Sequence, residues 1–212
     1  MKEDFVFLKQ AIDKTHPDPS YSADMKRLDQ AFMDVERQLE KPMTSDETWR
    51  VLTALNPVFA DGHLLVSLSD IDQQAKAHLR GGSGFFPFEV HVEADGNVYI
   101  LAEMGGAASP LVARRIETIN GVPAREVAER LLSLTHGDTP ELRANFLSGR
   151  WWRFYWKTFG APSHFDLVIA KPEGYEKIRR SAVAKLPASF ASEEDFGQQF
   201  KFEMLGVLKN QV

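Results

Sequence analysis

The chain has 212 residues, 43% of them hydrophobic and 26% charged, enough for one large domain or two small ones and too apolar for a disordered chain. Its 25 Lys plus Arg against 30 Asp plus Glu give a net charge of -5, which argues against a general nucleic-acid binder needing a basic surface. There is no cysteine, so disulfides, thiolate metal ligands and a cysteine nucleophile are excluded, and no apolar run has the length to cross a bilayer.

The N-terminus, "MKEDFVFLKQ", is too acidic and too short in apolar residues for a signal peptide. A periplasmic or extracellular location therefore requires that a signal has already been removed, and otherwise the compartment is open. Phe5, Leu8 and Ile12 keep helical spacing until "THPDP" stops the helix with two prolines. Met25, Leu28, Phe32, Val35 and Leu39 alternate by three and four and predict a long amphipathic helix. A third helix begins at "TSDE", where Thr44 and Glu47 have capping-box spacing. Its face is Trp49, Leu52, Leu55 and Phe59, with Pro57 bending the last turn.

After these helices the character changes. "LLVSLS" reads as a strand, and the stretch 67–84 as the boundary between regions. "LRGGSGFF" leads into two strands in "FPFEVHVEADGNVYILAE", joined by a hairpin turn at "DGN". "RRIETINGVPAREVAERLLSL" predicts a strand, a tight Asn120-Gly121 turn, and a helix with Val127, Leu131 and Leu134 on one face. A further helix starts at "DTPELRANFL", breaks at Gly149 and resumes through "RWWRFYWKTF". "HFDLVIAK", "YEKIRRSAVAKL" and "FKFEMLGVL" read as strands, so the fold class is α+β.

Few motifs carry chemistry. In "GRWWRFYWK", Trp152, Tyr155, Trp156 and Phe159 take the apolar face of a helix, leaving Arg150, Arg153 and Lys157 to face water. The glycines of "GGSGFF" are not a phosphate loop, because they precede a strand and lack the Gly-Lys-Ser/Thr ending. The loop suits either of two roles: backbone N–H groups that capture a peptide carboxylate, or a plain flexible linker. The six histidines have no metal-ligand spacing, which predicts no metal site and no cofactor. His91 reads as a surface residue and His16, before Pro17, as a cap on helix carbonyls. His63 follows Gly62, which permits a sharp turn, and Asp61, which is placed to hold an imidazole in one tautomer. No serine stands in a GxSxG or SxxK context.

Taken together, "THP", the long amphipathic helix, "LNPVFADGH", "FPFEVHVEADGNVYI" and "RIETINGVPAREV" resemble, in this order, the N-terminal half of the carboxyl-terminal-processing (tail-specific) serine peptidases, including their tricorn-core-like branch. The resemblance implies a helical bundle at 1–66, a PDZ-like module at 67–139, and at 140–212 a helical segment returning to the bundle with strands leading to a catalytic domain of the same polypeptide. It implies His63 as general base to a serine beyond Val212, oriented by Asp61, and Ser83, Gly84, Phe85 and Phe86 as the cradle for a peptide or protein C-terminus. The chain departs from the family pattern at two places: Leu64 stands where Thr is frequent, and Ala113-Arg114 where Gly-Asp is usual. The expectation is a non-catalytic portion of a serine peptidase, inactive alone. The alternative is a stand-alone PDZ-like peptide-binding adaptor.

Overall fold

The computed structural model describes residues 2–16, 18–68 and 70–190. The chain opens with helix α1 (Lys2–Thr15), whose Phe5 and Ile12 are buried. After a short 3-10 turn at Pro19–Tyr21, capped by Asp18, comes α2 (Met25–Gln38), where the Asp24 carboxylate accepts from the Arg27 amide and Leu28 and Val35 face inward. Helix α3 (Ser45–Thr53) starts with the capping box foreseen at Thr44 and Glu47. It stops sooner than its apolar pattern predicts. A separate turn, α4 (Asn56–Phe59), follows with Pro57 in its first turn, where a missing N–H leaves no hydrogen bond broken. Phe5, Ile12, Leu28, Val35, Leu39, Leu55 and Phe59 form the core of this helical region, each burial stabilising by about 1.5–3 kcal/mol.

The second half is one antiparallel sheet with two helices on it. Its strands are β1 (Phe88–Val92), β2 (Val98–Glu103), β3 (Arg115–Ile119), β4 (Val122–Pro123), β5 (His164–Ala170) and β6 (Tyr175–Ser181), in the order β1-β2-β3-β5-β6 with β4 hydrogen-bonded to β3. The β1–β2 hairpin turns at Gly96 (φ 86°), and the β3–β4 turn has both Asn120 (φ 52°) and Gly121 (φ 82°) left-handed. That pair is the residue choice such a two-residue turn demands. Helix α6 (Ala124–Leu132) packs on β3, and α7 (Pro140–Phe159) lies across β1, against α6 and against α3. Leu147 and Trp151 of α7 are fully buried among Phe86, Val90, Phe165 and the sheet interior. The protein is thus α+β.

Four sequence expectations need correction. "LLVSLS" is not a strand: among the described residues 64–68 pair with no other strand, and the Asn56 side chain bonds both backbone polar groups of Val66, where a neighbouring strand would. A helix absent from the sequence reading, α5 (Ile71–Arg80), follows it and buries Ile71 and Ala75. Helix α7 runs unbroken through Gly149. Packing of Leu147, Trp151 and Trp152 around that point outweighs the ~1 kcal/mol that glycine costs mid-helix. Finally, Lys157 does not face water. It is 5% exposed, and its Nζ donates to Asp46 on α3 at 2.9 Å and to Gln74 on α5 at 2.5 Å. The helix that was read as one-sided is therefore enclosed by the sheet, by α3 and by α5. The expected strand "FKFEMLGVL" lies outside the described residues.

Candidate functional site

The turn at Asp61, Gly62 and His63 is built from three supports. Helix α4 ends with Ala60 left-handed (φ 48°), which swings the chain out of the helix, while Ser22 Oγ donates to the Phe59 carbonyl at 3.0 Å. Asp61 Oδ1 then accepts from the backbone N–H of His63 (2.6 Å) and of Leu64 (3.1 Å), an Asx-type turn that fixes the main chain. Gly62 lies against the start of α7: a Cβ there would sit 3.3 Å from Asp138 Oδ1 and 3.5 Å from Leu142 Cδ2. The backbone hydrogen bonds, with that from His63 foremost, hold the Asp61 carboxyl below its ordinary pKa.

The side chains divide differently from the sequence expectation that Asp61 orients the His63 ring. Asp61 Oδ2 meets Nε2 of His16 at 3.1 Å, and His16 Nδ1 is buried with no hydrogen-bond partner. The His63 ring stands fully in solvent, its Nδ1 3.7 Å from Asp61 Oδ1, beyond hydrogen-bond reach. So Asp61 locks the backbone of His63 and the ring of His16. His16 caps no carbonyl with its ring, and "THP" offered no signal that its histidine would meet an aspartate 45 residues on. What the turn presents is one accessible imidazole on a rigid support.

Beyond His63, Asn56 clamps the extended segment: Oδ1 accepts from Val66 N at 2.7 Å, and Nδ2 donates to Val66 O (3.1 Å) and Leu134 O (3.0 Å). Between this segment and α7 is a hollow of about 40 Å³ lined by His136, Arg150, Arg153 and Lys157 as well as by apolar side chains. His136 is 3% exposed and stacks on Phe146 with ring centroids 4.4 Å apart. Burial first, and then the guanidiniums of Arg150 and Arg153, lower its pKa from 6.5 to about 4, so it is neutral at physiological pH. None of these four residues was singled out as a site by spacing in the sequence.

The second expected site lies apart from the first. Of Ser83, Gly84, Phe85 and Phe86, only Ser83 is exposed. Phe85 exchanges both backbone hydrogen bonds with Val183, each 3.0 Å long, and a Cβ on Gly84 would sit 2.8 Å from the Val183 backbone. The Gly84 carbonyl meets Nε2 of His78 at 3.1 Å. The Phe85 ring packs among His78, Trp152 and Trp156, and Phe86 packs on Trp151. Beside the loop, α7 reaches the free edge of β1, where Ser148 Oγ accepts from Val92 N at 2.8 Å. The loop's glycine thus serves close packing of the chain on itself.

No protein-family model and no curated protein sequence matches the chain. Among solved structures it is similar to a serine-to-alanine mutant of CPAF, a chlamydial serine protease, at 16% identity and a TM-score of 0.55, over 94% of this chain and 38% of that one. It is likewise similar to mature CPAF complexed with lactacystin, at 16% identity and a TM-score of 0.52, over 96% of this chain and 38% of that one. The chain therefore spans well under half the length of these neighbours, and at such identity the likeness shows a shared α+β fold.

Proposed function

We propose that this chain is the N-terminal part of a protease-like protein and that His63 serves there as general base to a serine carried by a later part of the polypeptide. The observation that carries the reading is the fully exposed His63 ring on a turn whose backbone Asp61 fixes twice. A base must be reachable by the group it deprotonates and must not wander. In the reaction, the serine Oγ attacks a peptide carbonyl as its proton passes to the His63 imidazole, which then returns the proton to the leaving amine. Asp61 acts through the main chain of the turn, holding His63 in register with the helical region through His16. The fold shared with a serine protease supports the same reading.

The strand-rich half we read as PDZ-like, supported by the glycine loop before β1 and the β3–turn–β4–α6 unit. A peptide C-terminus docking at 83–86 would have to exchange with Val183 for the Phe85 amide, so His63 carries the function reading and this loop does not.

The test is the gene's full product. If coding continues past Val212, that product should hydrolyse peptides, and His63→Ala should lower kcat/KM by about 10³-fold or more without shifting the Tm. The 212-residue chain alone should not turn over. A stop codon after Val212, or hydrolysis by the full product that is indifferent to His63→Ala, would favour a peptide-binding adaptor or a different base.

A further inference from the structure

We propose that Asp138 is the positioning residue for the His63 imidazole, its carboxylate meeting the ring across Gly62 and holding the tautomer whose Nε2 takes the serine proton. The inference deepens the peptidase reading and rests on it, supplying the ring partner that Asp61 does not.

The commitments of Asp61 create the need. Its Oδ1 serves two backbone amides and its Oδ2 the His16 ring, while Nδ1 of His63 stays 3.7 Å away. A histidine base acting on a serine gains from a carboxylate on its far nitrogen. That partner fixes the tautomer and, staying ionised, steadies the imidazolium that forms.

Asp138, in the loop between α6 and α7, has the position for this role. Its Oδ1 is the nearest atom to where a Cβ on Gly62 would stand, at 3.3 Å. Glycine at 62 thus lets this carboxylate lie against the turn. From Gly62 to His63 is one Cα step of about 3.8 Å. Rotation of the imidazole and of the aspartate side chain about their own bonds spans that gap, and the His63 ring, fully in solvent, meets no packing that opposes it. The charges of Asp138 and Asp61 both act on the buried His136, so the two carboxylates flank one place at the entrance to α7.

The fold makes no other use of the Asp138 side chain. Among the described residues no hydrogen bond or ion pair engages its carboxylate. It does not cap α7: Thr139 Oγ accepts from Leu142 N at 3.1 Å, and Glu141 is the acid of the first turn. Yet its backbone is held on both sides. Arg143 Nε donates to the Gly137 carbonyl at 3.0 Å, and Arg143 N to the Thr139 carbonyl at 3.1 Å. An exposed carboxylate on a stiff loop, beside a stiff turn with an exposed imidazole, is placed to act on that imidazole.

The experiment titrates the His63 ring of the 212-residue chain by NMR across the ordinary histidine range, its signal assigned by its absence in His63→Ala. The groups that act on the ring are Asp61 and His16 behind the turn and Asp138 and His136 at the start of α7. A carboxylate favours the imidazolium, so Asp138→Asn should lower the His63 pKa by about 0.5 or more, with the Tm unmoved. Asp138→Glu, which keeps the charge, should restore most of the difference. Glu141→Gln removes an equal charge from the same helix start and should shift the pKa by less than half as much. If the full product hydrolyses peptides, Asp138→Asn should move the acid limb of its kcat/KM profile to lower pH and lower kcat/KM by about 10-fold or more. The inference is overturned if the His63 pKa is the same in Asp138→Asn as in the parent chain, or if Glu141→Gln shifts it equally. Either result leaves the His63 dependence of hydrolysis to be judged separately, with the ring's partner sought elsewhere in the polypeptide. Hydrolysis indifferent to His63→Ala would sink the base reading and leave the titration result standing.

Discussion

The turn at Asp61–His63 and the loop at residues 83–86 look alike in sequence: a glycine beside candidate functional residues, where a helix gives way to extended chain. They are built in opposite senses. In the first, a side chain binds the backbone, Asp61 holding the amides of His63 and Leu64, and the His63 ring is left in water. In the second, the backbone binds other backbone, Phe85 to Val183, and the rings of Phe85 and Phe86 are 1% exposed. One spends its polar groups on rigidity and offers a reagent. The other spends everything on packing. A glycine-rich loop is therefore weak evidence for ligand capture until the destination of its amides is known.

The largest effect that sharpens this contrast is Phe85→Ala. Removing a ring held among His78, Trp152 and Trp156 should cost about 3–5 kcal/mol in denaturant unfolding. A cost below about 1 kcal/mol would mean the loop is not part of the core and would reopen it as a binding element. Next in size is a pH effect at the back of the His63 turn, where His136 faces Arg150, Arg153, Asp138 and Asp61. Its folded pKa of about 4 lies below the ordinary 6.5, so the unfolded chain binds the extra proton first. Stability is then full above pH 6.5 and falls with pH down to about 4, by about 3 kcal/mol at ~1.4 kcal/mol per pH unit. His136→Gln should flatten the unfolding free energy across that window, and an unchanged slope would refute the assignment.

What the sequence made legible was local. Spacing of three and four found α1, α2 and α3, the Thr44 and Glu47 pair marked a helix start, and Asn120-Gly121 marked a hairpin. What it hid depends on partners far along the chain. The alternation in "LLVSL" is real, but its neighbour is one side chain, Asn56, and not a strand. Lys157 looks like a solvated cation on a helical wheel because Asp46 is 111 residues away. The same holds for the candidate site. Asp61 and His63 could be picked out, but their division of labour could not, since the ring that Asp61 holds belongs to His16. Gly84 could be read as an anion cradle only while the position of Val183 was unknown.

Two smaller effects separate the parts of the turn itself. Asp61→Ala removes the acceptor of two amides and of the His16 ring, and should cost about 1–2 kcal/mol. With its carboxyl pKa lowered, Asp61 contributes this stability above its ordinary 3.8 and loses it as pH falls through the lowered value. Asp61→Asn keeps an oxygen for the amides and loses the negative charge, so its loss reads the carboxylate charge and the further loss in Asp61→Ala reads the hydrogen bonds to the two amides.

The smallest effect is the most discriminating. His63→Ala removes a side chain that is 102% exposed and makes no hydrogen bond through its ring, so stability should change by less than about 0.5 kcal/mol. Phe85 and His63 then stand at opposite ends of one scale, one residue kept for the fold and the other with no part in it. A Tm shift of several degrees in His63→Ala would show that the ring packs somewhere after all, and the turn would join the glycine loop as a structural element. An unmoved Tm leaves the exposed imidazole without a structural reason to be there, which is the condition a base waiting for its serine has to meet.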